Sequence, residues 1–167
     1  MNKMVKFLKE IKDYIIIIVV VILIRTFIVT PAIVDGDSMN ETLLDGNLVL
    51  INKLTYRIND INRFDIVVLD NDTDNDRIIK RVIGLPNERI EYKDNKLYIN
   101  DKEVKLNMKF HDTNDFIAET KDNEYFVLGD NREVSKDSRI LGNFTKDKII
   151  GKVNIRFYPL DRIGKVK

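Results

Sequence analysis

The apolar residues of this 167-residue chain are unevenly placed. Tyr14 to Ile24 runs without a charge, glycine or proline, and the apolar character resumes after Arg25 and Thr26 through Phe27-Ile28-Val29, until Pro31. A hydrocarbon core takes about 20 helical residues. Tyr14 to Ile24 is too short alone, whereas Ile11 to Val29 reaches that length if Arg25 snorkels to the far interface. A cleaved export signal would carry small residues just beyond the apolar run; Arg25, Thr26 and bulky Phe27 stand there instead. A buried core helix would keep a polar face at helical spacing, but Ile15 to Leu23 is apolar all round. The pattern therefore predicts one N-terminal transmembrane helix. Lys3, Lys6, Lys9 and Lys12 precede it, which places the N-terminus in the cytoplasm and the rest of the chain outside. Arg25 on the far side runs against that orientation, while Glu10 and Asp13 carry little weight in the rule. Residues 1–30 then form a cytoplasmic terminus and anchor, and 31–167 an extracytoplasmic domain.

Beyond the anchor the pattern is that of strands. Leu48 to Ile51, Phe64 to Leu69, Ile78 to Ile83, Tyr125 to Leu128 and Ile149 to Tyr158 are short apolar or alternating runs between Gly, Asn, Asp and Pro. Arg89 to Tyr92 and Lys96 to Ile99 flank Asp94-Asn95, a hairpin turn. Asn100-Asp101 supplies a second turn before Lys102-Glu103-Val104. The fold class expected is mainly β: an antiparallel core with a small ribbon extension over about residues 87–124. Phe110 to Glu124 reads as a polar surface loop, and no long helix is expected beyond the anchor. Asp70 to Asp76 alternates carboxylates like a calcium loop, but lacks the glycine at the sharp turn and the closing glutamate. A solvated hairpin loop fits it better.

Composition narrows the chemistry. There is no cysteine, so thiol proteases, thiolate metal sites and disulfide scaffolds are excluded. One histidine, His111 in a polar loop, builds no multi-histidine metal site. The charges nearly cancel, 28 basic against 27 acidic, which gives no electrostatic case for nucleic acid.

Three polar segments remain. Val34-Asp35-Gly36-Asp37-Ser38-Met39-Asn40-Glu41-Thr42-Leu43 places Ser38 after a glycine turn, where a hydroxyl and backbone N–H groups can face a developing oxyanion. Ser38 three positions before Glu41 also fits a helix capping box. In Ile79-Lys80-Arg81-Val82-Ile83-Gly84-Leu85-Pro86, Lys80 shares a strand face with Ile78 and Val82. A lysine there either guards an edge strand or loses its proton on burial and serves as a general base. Gly129-Asp130-Asn131-Arg132-Glu133-Val134-Ser135-Lys136-Asp137-Ser138-Arg139 is dense in turn formers and hydrogen-bonding groups. It is either an Asx-rich turn with surface charges or a loop locked by an Asp137–Arg139 ion pair. Asp45 to Val49 and Arg63 to Val68 read as scaffold.

Taken together and in this order, these segments resemble the type I signal peptidases, membrane-anchored serine proteases that remove signal peptides from exported proteins. Ser38-Met39 with Thr42-Leu43 matches the nucleophile box, Lys80-Arg81-Val82 with Gly84-Leu85-Pro86 the general-base box, and Gly129 to Arg132 with Ser135 and Asp137-Ser138-Arg139 the last box. The resemblance implies Ser38 as nucleophile, Lys80 as general base, Ser135 as the group orienting the Lys80 amine, and Asp137 and Arg139 as architectural residues. It implies an antiparallel β catalytic core, preprotein signal peptides and the lipid bilayer as partners, and no cofactor or metal. By alignment to the same boxes, Ala32, Val34, Met39, Leu43 and Ile79 would line shallow pockets for small substrate side chains. Glu41 stands where the family usually has proline, and Asn87-Glu88 where it usually has Gly-Asp. Gly36, two positions before the nucleophile, offers backbone donors only, which leaves the Ser38 N–H for the oxyanion. Two other classes compete. Self-cleaving Ser-Lys repressors carry a DNA-binding domain and no membrane span. A non-catalytic, diverged signal-peptidase-like membrane protein assisting surface assembly would lack the nucleophile or the base. Nothing in the sequence sets an oligomeric state.

Overall fold

The computed structural model describes residues 3–72, 76–105 and 112–166, with side chains from residue 11 onward. His111 and the centre of the Asp70 to Asp76 loop lie outside the described residues. A helix α1 (Lys3–Phe27) leads into twelve strands: β1 (Val29–Ile33), β2 (Leu48–Asn52), β3 (Ile66–Asn71), β4 (Asp76–Gly84), β5 (Arg89–Lys93), β6 (Lys96–Ile99), β7 (Lys102–Val104), β8 (Phe116–Glu119), β9 (Glu124–Leu128), β10 (Phe144–Thr145), β11 (Ile149–Tyr158) and β12 (Gly164–Lys165). Two single-turn helices, α2 (Thr55–Ile58) and α3 (Ser138–Leu141), complete the named elements. The expected mainly β architecture is present. One antiparallel sheet runs β1-β2-β11-β3-β4-β9-β10 with β12 against β11; a second runs β7-β6-β5-β8.

The small sheet is the expected ribbon, with one strand more than the sequence pattern gave. Asp94 and Asn95 both have positive φ, 51° and 59°, the conformation a two-residue hairpin turn requires. Asn100 and Asp101 repeat it at 49° and 65°. The added strand is β8, inside the segment expected as loop; its alternate residues pack as Phe116 stacks on Tyr92 at 5.4 Å and meets Phe126 of the large sheet at 5.5 Å. Gly84 lets the sheets close, since a Cβ there would lie 2.6 Å from Ile90. Asp70 and Asp72 bind Arg77 and Lys148, and Asn71 pairs with Asp76 at the end of the β3–β4 ladder.

The N-terminal helix forms, but its uninterrupted apolar run stays short between Asp13 and Arg25. Among the described residues no helix is long and apolar enough to cross a membrane. Val29 and Thr30, expected as the end of the anchor, instead begin the edge strand β1. Pro31 is tolerated because an edge strand has a side that needs no N–H donor.

Val49, Ile51 and Val153 turn inward onto Val34, Met39 and Leu43, forming the core under the Ser38 loop. The opposite face is also apolar. Ile33, Leu48 and Tyr158 lie in one row across β1, β2 and β11, and Pro31, Leu50 and Ile155 in the next, with Ile33 67% and Tyr158 50% exposed.

Candidate active site

The loop between β1 and β2 carries Ser38 and is held from below. Val34 N–H donates to Asn47 O (2.8 Å) and Gly46 N–H to Val34 O (2.9 Å). Asp45 Oδ1 accepts the Gly36 N–H at 2.9 Å. Gly36 itself has φ 85°, a left-handed turn that glycine adopts without a steric cost. The Gly36 N–H is thereby engaged, while the Ser38 N–H makes no hydrogen bond among the described residues. Residues 38–42 form successive turns, with no helix behind a capping box. Glu41 has φ 94°, a value closed to proline, whose ring holds φ near about −65°. The loop is shaped differently from one carrying proline there.

Lys80 sits in β4, where strand alternation decides what lies open. Val82 N–H donates to Asp65 O (2.9 Å) and its carbonyl accepts from Phe64 N–H (2.7 Å). By the two-residue period, Ile78 and Lys80 also turn their backbone groups to β3, and Arg77 and Ile79 turn theirs away. β9 covers that away side only from Arg81 onward, so among the described residues no strand pairs with this edge of β4 from Asp76 to Lys80. At this edge the Lys80 amine bonds the Ser38 Oγ at 2.7 Å and the Ile79 carbonyl at 3.0 Å. The residues, 42 positions apart, are joined by the fold.

Lys80 is 3% exposed. Burial pushes its amine from the ordinary 10.5 down to about 8, against the pull of the Asp137 and Asp130 carboxylates, which raise it. A water-excluded amine disfavours its charged form. The result is an amine that can lose its proton near neutrality while touching a serine hydroxyl.

The third segment closes the site behind these two. Asn131 N–H donates to the Ser38 carbonyl at 3.1 Å. Asp137 is fully buried and accepts from Gly129 N–H (3.0 Å) and from two nitrogens of Arg139 (2.8 and 2.9 Å). Arg139 also donates to Arg132 O at 2.7 Å. The ion pair expected between Asp137 and Arg139 is thus formed and locks the loop. Ser135 lies against the site, 4% exposed: a Cβ built on Gly129 would lie 2.2 Å from its Oγ and 2.5 Å from the Ser38 carbonyl. Its hydroxyl has no hydrogen-bond partner among the described residues, so the expected bond to the Lys80 amine is not made here.

One group escaped the sequence reading. Arg81 and Asp130, both with fully buried side chains, pair through two bonds (2.8 and 2.7 Å), and Thr42 donates to Asp130 at 2.5 Å. These three residues tie the nucleophile loop, the lysine strand and the last loop together. Their adjacency to Ser38, Lys80 and Gly129 was visible; their mutual contact was not.

A cleft of about 280 Å³ opens beside Ser38 and Lys80, between Ile33–Asp35 and Asp76–Ile79. Val34, Met39 and Ile79 are among the residues lining it. Ala32 packs against the core behind it and Leu43 is fully buried within that core.

Comparison with known proteins agrees with this arrangement. The family model described as signal peptidase, peptidase S26, matches residues 7–158. The chain is 40% identical to Signal peptidase IB of Staphylococcus aureus (strain COL), over 90% of this chain and 91% of that protein. It is 42% identical to Signal peptidase I P of Bacillus subtilis subsp. natto, over 94% and 92%. A crystal structure of a signal peptidase I from Enterococcus faecalis V583 superposes with a TM-score of 0.51 at 34% identity, covering 57% of this chain and 97% of that one. A fold that brings the three segments together around Ser38 and a match along most of the chain lead to one conclusion: the protein belongs to the signal peptidase family, peptidase S26.

Proposed function

We propose that this chain is a type I signal peptidase, a serine endopeptidase that cleaves N-terminal signal peptides from exported preproteins with Ser38 as nucleophile and Lys80 as general base. The observation that carries this is the 2.7 Å contact between the Ser38 hydroxyl and a buried amine held near pKa 8.

The neutral amine takes the Ser38 proton as Oγ attacks the scissile carbonyl. The unengaged Ser38 N–H meets the oxyanion. The Lys80 ammonium then gives its proton to the departing amine, leaving an acyl ester on Ser38. Neutral again, Lys80 takes a proton from water as its oxygen attacks the ester, then gives that proton to the departing Ser38 Oγ, which releases the acid product and restores the enzyme. Ser135, a buried hydroxyl beside the Ser38 carbonyl, orients the amine during these exchanges, and the Asp137–Arg139 pair keeps its loop in place.

The substrate lies as an added strand in the cleft, pairing with the Arg77 carbonyl and the Ile79 N–H, since the Arg77 N–H is held by Asp76 Oδ1 and the Ile79 carbonyl by Lys80. The small cleft volume beside Val34, Met39 and Ile79 favours small side chains next to the cut.

The α1 helix anchors the chain in a membrane with its N-terminus cytoplasmic and residues 31–167 extracytoplasmic. Ile15 to Ile24 are each 40–57% exposed among the described residues. Lys12 and Arg25 at the ends snorkel to the interfaces and lengthen the short apolar run. The outward apolar rows of β1, β2 and β11 continue the lipid-facing surface.

Incubating the detergent-solubilised protein with a preprotein, and mapping the product by mass spectrometry, tests the activity. Wild type releases the mature protein; Ser38→Ala and Lys80→Ala release none. Retention of the wild-type rate in both variants would falsify the assignment. Protease accessibility of residues 31–167 in oriented vesicles tests the topology.

A further inference from the structure

We propose that Thr30 and Lys53 are positioning residues that set the height of the cleft above the membrane; this rests on the reading of α1 as an anchor. A helix C-terminus leaves four carbonyls without intrahelical partners. Here Thr30 of β1 and Lys53, just past β2, take up two of them. Thr30 Oγ1 donates to Arg25 O at 2.7 Å and the Lys53 ammonium to Thr26 O at 3.2 Å. Lys53 N–H donates to Ile28 O at 2.8 Å, and Val29 pairs at once with Asn52. One residue, Ile28, separates helix from strand. There is no free linker at this joint.

Chemistry favours the clasp where it sits. A cation at a helix C-terminus opposes the partial negative charge of the last carbonyls. Near lipid, where water is scarce, an unpaired carbonyl costs more than in bulk water. From the joint, β1 carries the chain about 16 Å toward the Ser38 loop. A rigid joint fixes where that strand, apolar on its outward face, holds the cleft relative to the bilayer. The site then reaches one short stretch of a membrane-held substrate, whereas a loose joint lets it search up and down.

The test uses full-length protein in liposomes with preproteins whose cut is moved away from the signal's apolar run in steps of two residues, about 7 Å of extended chain each. For wild type the rate falls about tenfold per step away from the optimum; for the Thr30→Val/Lys53→Met double variant it falls about twofold, because the tether no longer fixes the local concentration of substrate at the cleft. A short soluble peptide is cut equally by both, and Lys53→Arg keeps the sharp profile. Lys53→Met alone, a change at a partly exposed position, broadens the profile in the same sense should the double variant not fold. Superimposable spacing profiles for wild type and variants overturn the proposal. A wild type that cuts no preprotein at any spacing, nor the soluble peptide, overturns the peptidase reading beneath it.

Discussion

Changing the pH titrates the proposed base without a substitution. In water an amine at 10.5 is neutral in roughly one molecule in 3,000 at pH of about 7, and at about 8 in roughly one in ten. Burial of Lys80 therefore raises the reactive fraction about 300-fold at neutrality. The sign follows from the role: the base works when unprotonated, so the rate rises with pH. kcat/KM for a quenched fluorescent peptide, measured at constant ionic strength, is expected to climb about tenfold per pH unit below about 8 and level off above it. The carboxylates of Asp137 and Asp130 oppose burial, with Asp137 the larger. Asp137→Asn thus moves the midpoint of the limb to lower pH, even as loss of the Arg139 pair lowers the plateau. A profile flat from mildly acidic to alkaline pH would refute Lys80 as base. A limb centred near 10.5 would refute the argument that burial tunes it.

The structural supports give further expectations. Asp130→Asn leaves the Arg81 guanidinium buried without its charge partner, which costs about 3–5 kcal/mol and is read by denaturant unfolding. Gly129→Ala drives a methyl into Ser135 and the Ser38 carbonyl, so peptide cleavage drops more than about tenfold. Glu41→Gly relieves a side chain held at φ 94° and raises stability by about 1 kcal/mol, whereas Glu41→Pro cannot keep that conformation and lowers the melting temperature.

Much of the fold was legible because its signals are local. The strands around Leu48, Ile66, Ile78, Tyr125 and Ile149 follow from short apolar runs between turn formers, and the Asp94-Asn95 hairpin from residues that tolerate positive φ. Asn87, standing for the usual glycine, likewise takes φ 61°. β1 was hidden because Val29 to Ile33 continues an apolar run and contains Pro31, which only an edge strand accepts. β8 was hidden because Phe116 to Glu119 sits in polar surroundings and gains its strand from pairing with β5. Ser38, Lys80 and the Ser135 to Arg139 loop could be named from the order of three motifs. The Thr42–Asp130–Arg81 network could not, since Thr42 and Asp130 are 88 positions apart and no local pattern joins them.

The central claim is that Ser38 forms a covalent acyl intermediate through proton transfer to Lys80. Acid-quenching the enzyme during turnover of a peptide substrate, followed by tryptic mass mapping, reads this directly. The account predicts the acyl fragment as an ester on the peptide carrying Ser38 in wild type, and none in Lys80→Ala or Ser38→Ala. An adduct on a different residue, or peptide cleavage undiminished in Ser38→Ala, would contradict it.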